Sequence, residues 1–245
     1  MTAEAGAIAA GRSGTDYKRW DKVPGHPVCE VDLEVDAYLR EHLGALDPEA
    51  GWLSEEAADI SDRYERRRVW VVDPIDGTRD YLRGRPGWCV SVALVEDRLP
   101  LLAVLSAPAR GELWTAERGL GSWRNGERLR ASGRIELRGA RVPADEAPDP
   151  DMVPVAKPNS IALRMALVAA GEADLVATFK WGFEWDIAAA ALIAAEAGAT
   201  VTGALGQPLA FNTASGETFG MLAAAPAIHP AAVERLRERA LERVG

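Results

Sequence analysis

Residues 69–78 read VWVVDPIDGT, and this stretch decides the prediction of the fold. The apolar run at 69–72 predicts a buried strand, and the Asp-Pro-Ile-Asp-Gly that follows predicts a turn at its end. Asp73 then closes the strand and Asp76 lies in the turn, so the two carboxylates come side by side. Two anions this close repel each other unless cations lie between them. The stretch therefore favours a divalent metal site, although a single turn of this kind is also compatible with a structural aspartate cap.

The residues around this turn have the chemistry of a metal and phosphate site. Hard divalent ions such as Mg²⁺ prefer oxygen ligands, which Asp73, Asp76 and the backbone carbonyl of Ile75 can supply. Gly77 and Thr78 expose backbone N–H groups at the start of a short predicted helix, which favours phosphate binding. A metal cluster beside a phosphate seat is the layout for metal-assisted hydrolysis of a phosphate ester.

Two further acidic clusters stand apart from the turn in the sequence. Glu55 and Glu56 follow Trp52-Leu-Ser, and Asp186 follows Trp185 at the start of an alanine-rich segment. Alone, the glutamate pair is typical of a solvated surface, and Asp186 is typical of a helix N-cap. Together with Asp73 and Asp76, they favour one shared metal site.

Composition excludes several classes of function. The formal charge of −9 argues against binding to a nucleic-acid polymer or an anionic membrane, since both require a basic surface. The two cysteines form no CxxC pair, and the three histidines are too scattered for a histidine-based metal site. The N-terminus lacks the features of a signal peptide, and no apolar run approaches the roughly 18 residues of a spanning helix. These features predict a reduced, cytoplasmic location.

Hydrophobic periodicity predicts an α/β chain in two lobes. Residues 1–138 form an N-terminal α+β lobe with an antiparallel sheet, and residues 159–245 form a C-terminal α/β lobe that completes the site. Four prolines within 139–158 mark a linker between the lobes. Helices are predicted at 32–46, 78–83, 160–170, 186–197 and 229–244. Strands are predicted at 69–72, 90–95, 101–106, 112–116 and 121–124, then near Leu175, around Thr200 and at 219–223.

Four elements of the sequence resemble the inositol monophosphatase superfamily. They are Trp70-Val-Val-Asp-Pro-Ile-Asp-Gly-Thr78, Trp185-Asp-Ile-Ala-Ala-Ala with Glu196-Ala-Gly, Leu53-Ser-Glu-Glu, and Val28-Cys-Glu-Val-Asp32. They occur in the order found in that family and cover roughly residues 18–224. The resemblance implies a layered αβαβα architecture and a Mg²⁺-dependent, lithium-sensitive phosphatase that acts on a small phosphorylated metabolite.

The resemblance also implies roles for individual residues. Two or three Mg²⁺ ions would be bound by Glu55, Asp73, the Ile75 carbonyl, Asp76 and Asp186. Asp32 and Thr78 would together orient and deprotonate the attacking water, with Glu55 as a third catalytic residue. The amides of Gly77 and Thr78 would hold the phosphate, Asp186 would also contact substrate, and Lys22 would lie on a mobile loop over the metals. For Asp32, the alternative is a cap for the helix that it begins.

The substrate region departs from the inositol-specific pattern. Those members have a glutamate a few residues before the Trp-Asp signature, where this chain has Thr178 or Phe179, with Lys180 beside it. A cation with Trp181 and Phe183 nearby favours a substrate with a second anionic group or a flat base. Residues 79–81 and the 160–164 segment also resemble the bacterial 3'(2'),5'-bisphosphate nucleotidase branch, so this activity is predicted.

Alternative activities remain open at this point. One is inositol-1-monophosphatase or histidinol-phosphatase activity on the same scaffold, and another is a non-catalytic regulator that binds metal and phosphate. Cys29 replaces the threonine usual in the family, and the predicted N-terminal helix is short. The resemblance also implies a homodimer, and the family's usual dimer packing is the property that this short helix would affect.

Overall fold

The computed structural model describes residues 1–22, 25, 27–57, 61–146 and 149–244. Within these ranges the chain forms six α-helices: α1 (Thr2–Arg12), α2 (Glu30–Leu46), α3 (Thr78–Leu82), α4 (Ile161–Ala169), α5 (Ala188–Glu196) and α6 (His229–Val244). None of these helices is both long enough and apolar enough to span a bilayer.

The strands form one large sheet and three small ones. The antiparallel pair β1 (Arg19–Asp21) and β2 (Pro27–Cys29) leads into α2. Seven strands then form the large sheet in chain order: β3 (Gly51–Ser54), β4 (Arg68–Asp76), β5 (Cys89–Glu96), β6 (Leu99–Ala107), β7 (Glu112–Glu117), β8 (Gly121–Arg124) and β9 (Glu127–Arg128). Only the pairing of β3 with β4 is parallel among these seven.

The later strands belong to two smaller sheets. A parallel pair joins β10 (Arg141–Pro143) to β11 (Val153–Val155). The last sheet has the order β12-β14-β13 and consists of β12 (Leu175–Phe183), β13 (Thr200–Thr202) and β14 (Glu217–Ala224).

Alternation along the strands builds the layers, because successive side chains of a strand point to opposite faces. Trp70 and Val72 of β4 pack with α1 and α2, whereas Val69 and Val71 pack with α4 and α5. In the last sheet, side chains such as Ala223 of β14 join the α4–α5 core, and the alternating ones pack against α6. The order is therefore helix, sheet, helix, sheet, helix, which confirms the predicted αβαβα architecture.

The structure corrects several boundaries of the sequence prediction. Strand β4 runs to Asp76 instead of ending at Asp73, with an irregularity in its pairing with β5 between these two residues. Helix α5 begins at Ala188, two residues after the predicted start, so Asp186 is not its N-cap. Helix α2 begins at Glu30, two residues before the predicted start, with Cys29 as its N-cap. The stretch 139–158, which is predicted as a linker, contains the short strands β10 and β11, and Pro148 lies outside the described residues. The strand predicted near Leu175 continues to Phe183 and includes Lys180. The division into two lobes at this stretch stays a prediction.

A bulge interrupts the pairing of β12 with β14. Thr178 pairs with Met221 and Trp181 pairs with Phe219, so two residues of β12 face only Gly220 of β14. Such a bulge adds one residue to a strand and bends it locally. Gly220 has φ of +56°, and a Cβ atom there would lie 2.4 Å from the carbonyl oxygen of Thr178. Glycine at this position therefore permits the bulge.

We predict that Gly220→Ala lowers the free energy of unfolding by about 3 kcal/mol, because it adds a backbone clash to left-handed strain. The matched control is Gly198→Ala, since Gly198 has φ of +91° but no atom within 4 Å of its would-be Cβ. The control is expected to cost about 1 kcal/mol. Urea denaturation measures both, and equal losses would contradict the role given to the close approach.

Candidate active site

Three aspartates from two parts of the chain meet at the end of β4. Carboxylate oxygens of Asp73, Asp76 and Asp186 all lie within 4.8 Å of one another. Asp73 and Asp76 are buried, and Asp186 is half-buried. The structure thus brings together the two sequence motifs that predicted one shared metal site.

Asp76 is held by the start of α4. The Ser160 hydroxyl donates to Asp76 Oδ2 at 2.5 Å, and the Ala162 N–H donates to the same oxygen at 2.8 Å. The Ile161 N–H approaches Asp76 Oδ1 at 3.4 Å. A carboxylate at a helix N-terminus is stabilised by these free N–H groups and by the helix dipole. The strand end and α4 are therefore locked together through Asp76.

Local hydrogen bonds hold the irregular end of β4 after Asp73 and the turn at Gly77 that follows it. Asp73 Oδ1 accepts from the Ile75 N–H at 2.9 Å, and the Ile75 carbonyl accepts from Thr78 Oγ1 at 3.0 Å. Gly77 has φ of +95°, and a Cβ atom there would lie 2.7 Å from the carbonyl oxygen of Gly87 and 2.9 Å from the Ser160 nitrogen. Only glycine fits this position, and the turn presents Ile75, Gly77 and Thr78 to the same cavity as the aspartates.

Glu55 follows β3, beside β4 in the sheet, and lines the same cavity. Lys22 Nζ lies 3.3 Å from Glu55 Oε1 and 2.6 Å from Glu56 Oε1. Burial raises the pKa of Glu56 to about 7, against the opposing effect of the Lys22 charge. Lys22 thus lies beside the predicted metal ligand Glu55, and the prediction that its loop is mobile stays a prediction.

Asp32 lies in the first turn of α2. Its Oδ2 accepts from the Cys29 N–H at 2.9 Å and from the Cys29 thiol at 3.0 Å, which completes a capping box. Burial raises the pKa of Asp32 to about 6. Asp32 is not among the described residues that line the cavity, and Thr78 Oγ1 donates to Ile75 instead. Asp32 is therefore not the N-cap of the helix, which is Cys29, but the third helical residue of a capping box, and its catalytic role stays a prediction.

The electrostatics of the cluster fit a cation. Burial and the charges of Glu55 and Asp76 raise the pKa of Asp73 well above its usual range. Burial, followed by Asp76 and Glu55, raises the pKa of Asp186 to about 8. Mutual repulsion in a desolvated site is relieved by a bound divalent ion, and carboxylate and carbonyl oxygens are the ligands that hard ions prefer. The donor set present here suits Mg²⁺.

The cavity over the cluster has a volume of about 290 Å³ and also contains cations. Arg164 reaches it from α4, with Nε bound to the Pro158 carbonyl at 2.8 Å and Nη2 bound to the Asn159 carbonyl at 2.7 Å. Lys180 lines the same wall, and its charge lowers the pKa of Asp186, against the larger effect of burial. An anion in this cavity would meet both positive groups.

The bulge in β12 decides which side chains face the cavity. Thr178 lines it, whereas Phe179 packs against the apolar clusters beneath α6. Trp181 and Phe183 also line the cavity and stay exposed at 56% and 36% of their surface. Thr178 is thus the residue that faces the cavity where inositol-specific enzymes are expected to have a glutamate.

Sequence reasoning missed two groups that support the site. The Ser160 bond to Asp76 spans 84 positions, and the sequence placed Ser160 only as the first residue of a predicted helix within the 160–164 segment. Arg164 lies one turn into α4, where an arginine by itself is typical of a solvated helix surface.

Comparison with known proteins agrees with this geometry. The model of the inositol monophosphatase family matches residues 1–240. A Nus factor SuhB of Xylella fastidiosa is 35% identical over 189 residues, which are 70% of this chain and 67% of that protein. A 3'(2'),5'-bisphosphate nucleotidase CysQ of Aggregatibacter actinomycetemcomitans is 33% identical over 202 residues, 76% of this chain and 75% of that protein. A solved Thermotoga maritima IMPase superposes with a TM-score of 0.84 at 27% identity, covering 100% of this chain and 96% of that one.

Together with these relatives, the layered αβαβα fold and the carboxylate cluster at a strand end identify a metal-dependent phosphatase. The chain belongs to the inositol monophosphatase family.

We predict that Asp186→Asn stabilises the metal-free protein at pH 8. A carboxyl whose pKa rises from 3.8 to about 8 on folding binds more protons in the folded state. The contribution of Asp186 to the free energy of unfolding is therefore largest below pH 3.8 and is lost as the pH rises toward about 8. In EDTA at pH 8 we expect Tm to rise by about 4 °C, or roughly 1–2 kcal/mol for a chain of this size, with a smaller rise at pH 5.

Asp174→Asn is the matched control for this experiment. Burial alone would raise the pKa of Asp174, but the hydrogen bonds from Arg141 and Ser132 outweigh burial and lower this pKa to about 2. Its charge stabilises the fold at pH 8, so the control variant loses stability there. A loss of Tm in Asp186→Asn at both pH values would contradict the predicted repulsion.

Proposed function

We propose that this chain is a Mg²⁺-dependent phosphomonoesterase whose preferred substrate is a 3'(2'),5'-bisphosphate nucleotide. The observation that carries the proposal is the common cavity: three clustered aspartates share it with Arg164, Lys180 and exposed aromatic rings. A phosphomonoester with a second anionic group and a flat base matches this wall. The nucleotidase CysQ from Aggregatibacter actinomycetemcomitans is among the relatives at 33% identity.

The acidic side of the cavity would hold two or three Mg²⁺ ions. Their ligands would be Glu55, Asp73, Asp76, Asp186 and the Ile75 carbonyl, all of which line the cavity. When bound, Mg²⁺ lowers the pKa of water and neutralises phosphate charge, so a protein nucleophile is not required.

The other residues of the turn would orient the reactants. The amides of Gly77 and Thr78 would hold the phosphate oxygens at the start of α3. Thr78 Oγ1 donates its hydrogen bond to the Ile75 carbonyl, so its lone pairs would be free to accept a hydrogen bond from the attacking water and orient it. Asp32 would take up the proton, and its raised pKa of about 6 makes it a stronger base near neutral pH than an ordinary aspartate.

The cationic wall would select the second anionic group. Arg164 is anchored by two backbone carbonyls, so its guanidinium is fixed before substrate arrives. Trp181 and Phe183 lie two positions apart, on the same face of β12, and would offer an exposed surface for stacking a base. Inositol phosphates and histidinol phosphate lack a second phosphate for these cations, so they would be poorer substrates.

We predict that Asp73→Asn reduces phosphate release from adenosine 3',5'-bisphosphate by at least about a thousandfold, because a central metal ligand is lost. Circular dichroism is expected to show an unchanged fold. EDTA should abolish wild-type turnover and Mg²⁺ should restore it. Absence of turnover in the wild type with Mg²⁺, on a panel of the bisphosphate, inositol phosphate, histidinol phosphate and fructose bisphosphate, would favour the non-catalytic regulator.

We predict that Lys180→Ala lowers kcat/KM roughly ten- to a hundredfold on adenosine 3',5'-bisphosphate, since a charge-assisted bond to phosphate is lost. The loss should be much smaller on adenosine 3'-monophosphate, which lacks the second charge. Lys18→Ala is the matched control, because Lys18 is an exposed lysine outside the cavity lining. An equal effect of Lys180→Ala on both substrates, or none on either, would remove Lys180 from substrate selection.

A further inference from the structure

A buried carboxylate lies two residues before Asp186 and faces away from the cavity. Glu184 is fully buried and accepts three hydrogen bonds: from the Asn212 N–H at 2.5 Å, the Thr213 N–H at 2.8 Å and the Thr213 hydroxyl at 2.5 Å. Its backbone N–H donates to the Gly216 carbonyl at 2.9 Å. Glu184 therefore binds the loop 212–216 at both of its ends.

The same loop is also held by a buried cation. Arg63 lies between β3 and β4 and is fully buried. Its Nη1 donates to Asn212 Oδ1 at 2.5 Å, and its Nη2 donates to the Thr213 carbonyl at 3.0 Å. The Asn212 side chain donates back to the Arg63 carbonyl at 3.2 Å. A cation near the large sheet and an anion before α5 thus clamp one short loop between them.

Glu184 is also hydrogen-bonded to the backbone on the far side of Asp186. The carbonyl of Glu184 accepts from the N–H groups of Ile187 and Ala188, so Glu184 starts the turn that leads into α5. Ser91 of β5 donates to the Trp185 carbonyl at 3.3 Å. Asp186 Oδ2 accepts from the Phe183 N–H at 3.4 Å. The residues just before Asp186 are therefore tied to two different sheets, Phe183 as the last residue of β12 and Trp185 through Ser91 of β5.

We infer that Glu184, together with the Arg63-bound loop 212–216, is a positioning residue that sets the place of Asp186 opposite Asp73 and Asp76. This inference rests on the proposed function, in which Asp186 is a metal ligand. Neither Glu184 nor Arg63 lines the cavity, so both act through the backbone around Asp186. Supporting residues of this kind fix the orientation of metal ligands, and their loss weakens metal binding about ten- to a hundredfold.

The three hydrogen-bond donors around Glu184 require a carboxylate, which has two acceptor oxygens and no donor. Three N–H or O–H groups converge on its two oxygens. Glutamine at this position would turn an NH₂ group toward one of these donors, and the buried N–H would lose its partner. The loop would then shift, and the turn carrying Asp186 would shift with it.

The test is a calorimetric titration of Mg²⁺ into the full chain, carried out without substrate. Glu184→Gln is expected to weaken Mg²⁺ binding about tenfold. The control is Asp174→Asn, which removes another buried carboxylate, one held by Arg141 and Ser132 rather than by the loop before Asp186. It should lose stability and keep its Mg²⁺ affinity. Wild-type affinity in a folded Glu184→Gln variant, or an equal loss of affinity in the control, overturns the inference.

A milder variant covers the case in which Glu184→Gln does not fold. Thr213→Val removes only the hydroxyl bond to Glu184 and keeps both backbone donors, so about a threefold loss of Mg²⁺ affinity is expected. At saturating Mg²⁺, kcat of this variant should return to the wild-type value, which separates positioning from damage to catalysis. Unchanged Mg²⁺ affinity in Thr213→Val overturns the inference in that case.

The outcomes for the wild type separate this inference from the proposed function. A wild type that binds Mg²⁺ but releases no phosphate from any substrate in the panel overturns the proposed function, while the titrations still decide the role of Glu184. A wild type that binds no Mg²⁺ overturns both.

Discussion

Repulsion among buried carboxylates is the constraint around which this protein is organised. Asp73, Asp76 and Asp186 hold their oxygens within 4.8 Å of one another in a largely desolvated place. Such an arrangement is unfavourable for the chain alone, because burial and like charges both oppose ionisation. It persists because each aspartate is held by a different part of the fold: a tight turn, the start of α4, and the segment before α5. Packing of the layers offsets the electrostatic repulsion among these carboxylates, and a bound divalent cation would reduce that repulsion.

Much of this arrangement could be predicted from the sequence, because the chemistry lies in short contiguous motifs. The strand and turn at 69–78 indicate where two carboxylates meet, and Trp185-Asp186 before an alanine-rich helix indicates the third. The layered order followed from the resemblance of these motifs to a known family. The strands predicted in the β-rich stretch, which are β5 to β8, also agree with the structure.

The remainder depends on contacts between distant residues, which local patterns do not encode. Arg63 and Asn212 are 149 positions apart, and no sequence pattern around either residue indicates its contact with the other. The start of α2 was misplaced because a cysteine serves as its N-cap, and cysteine is not among the residues that usually mark a helix start. The prolines of 139–158 suggested a linker, yet edge strands as short as β10 and β11 tolerate proline. Whether Thr178 or Phe179 faces the cavity could not be decided without the position of the bulge.

That bulge has a consequence for how such a protein can diversify. One extra residue in β12 is absorbed opposite Gly220, and the pairing of β12 with β14 resumes at Trp181 and Phe219. Insertions or deletions at this point change which side chains enter the cavity while the downstream turn with Asp186 keeps its register. The strand thus separates the side chains of the cavity wall from the segment that carries Asp186 within a few residues. A designer seeking new substrates would vary the length and composition of 178–181 and leave both ends of the strand untouched.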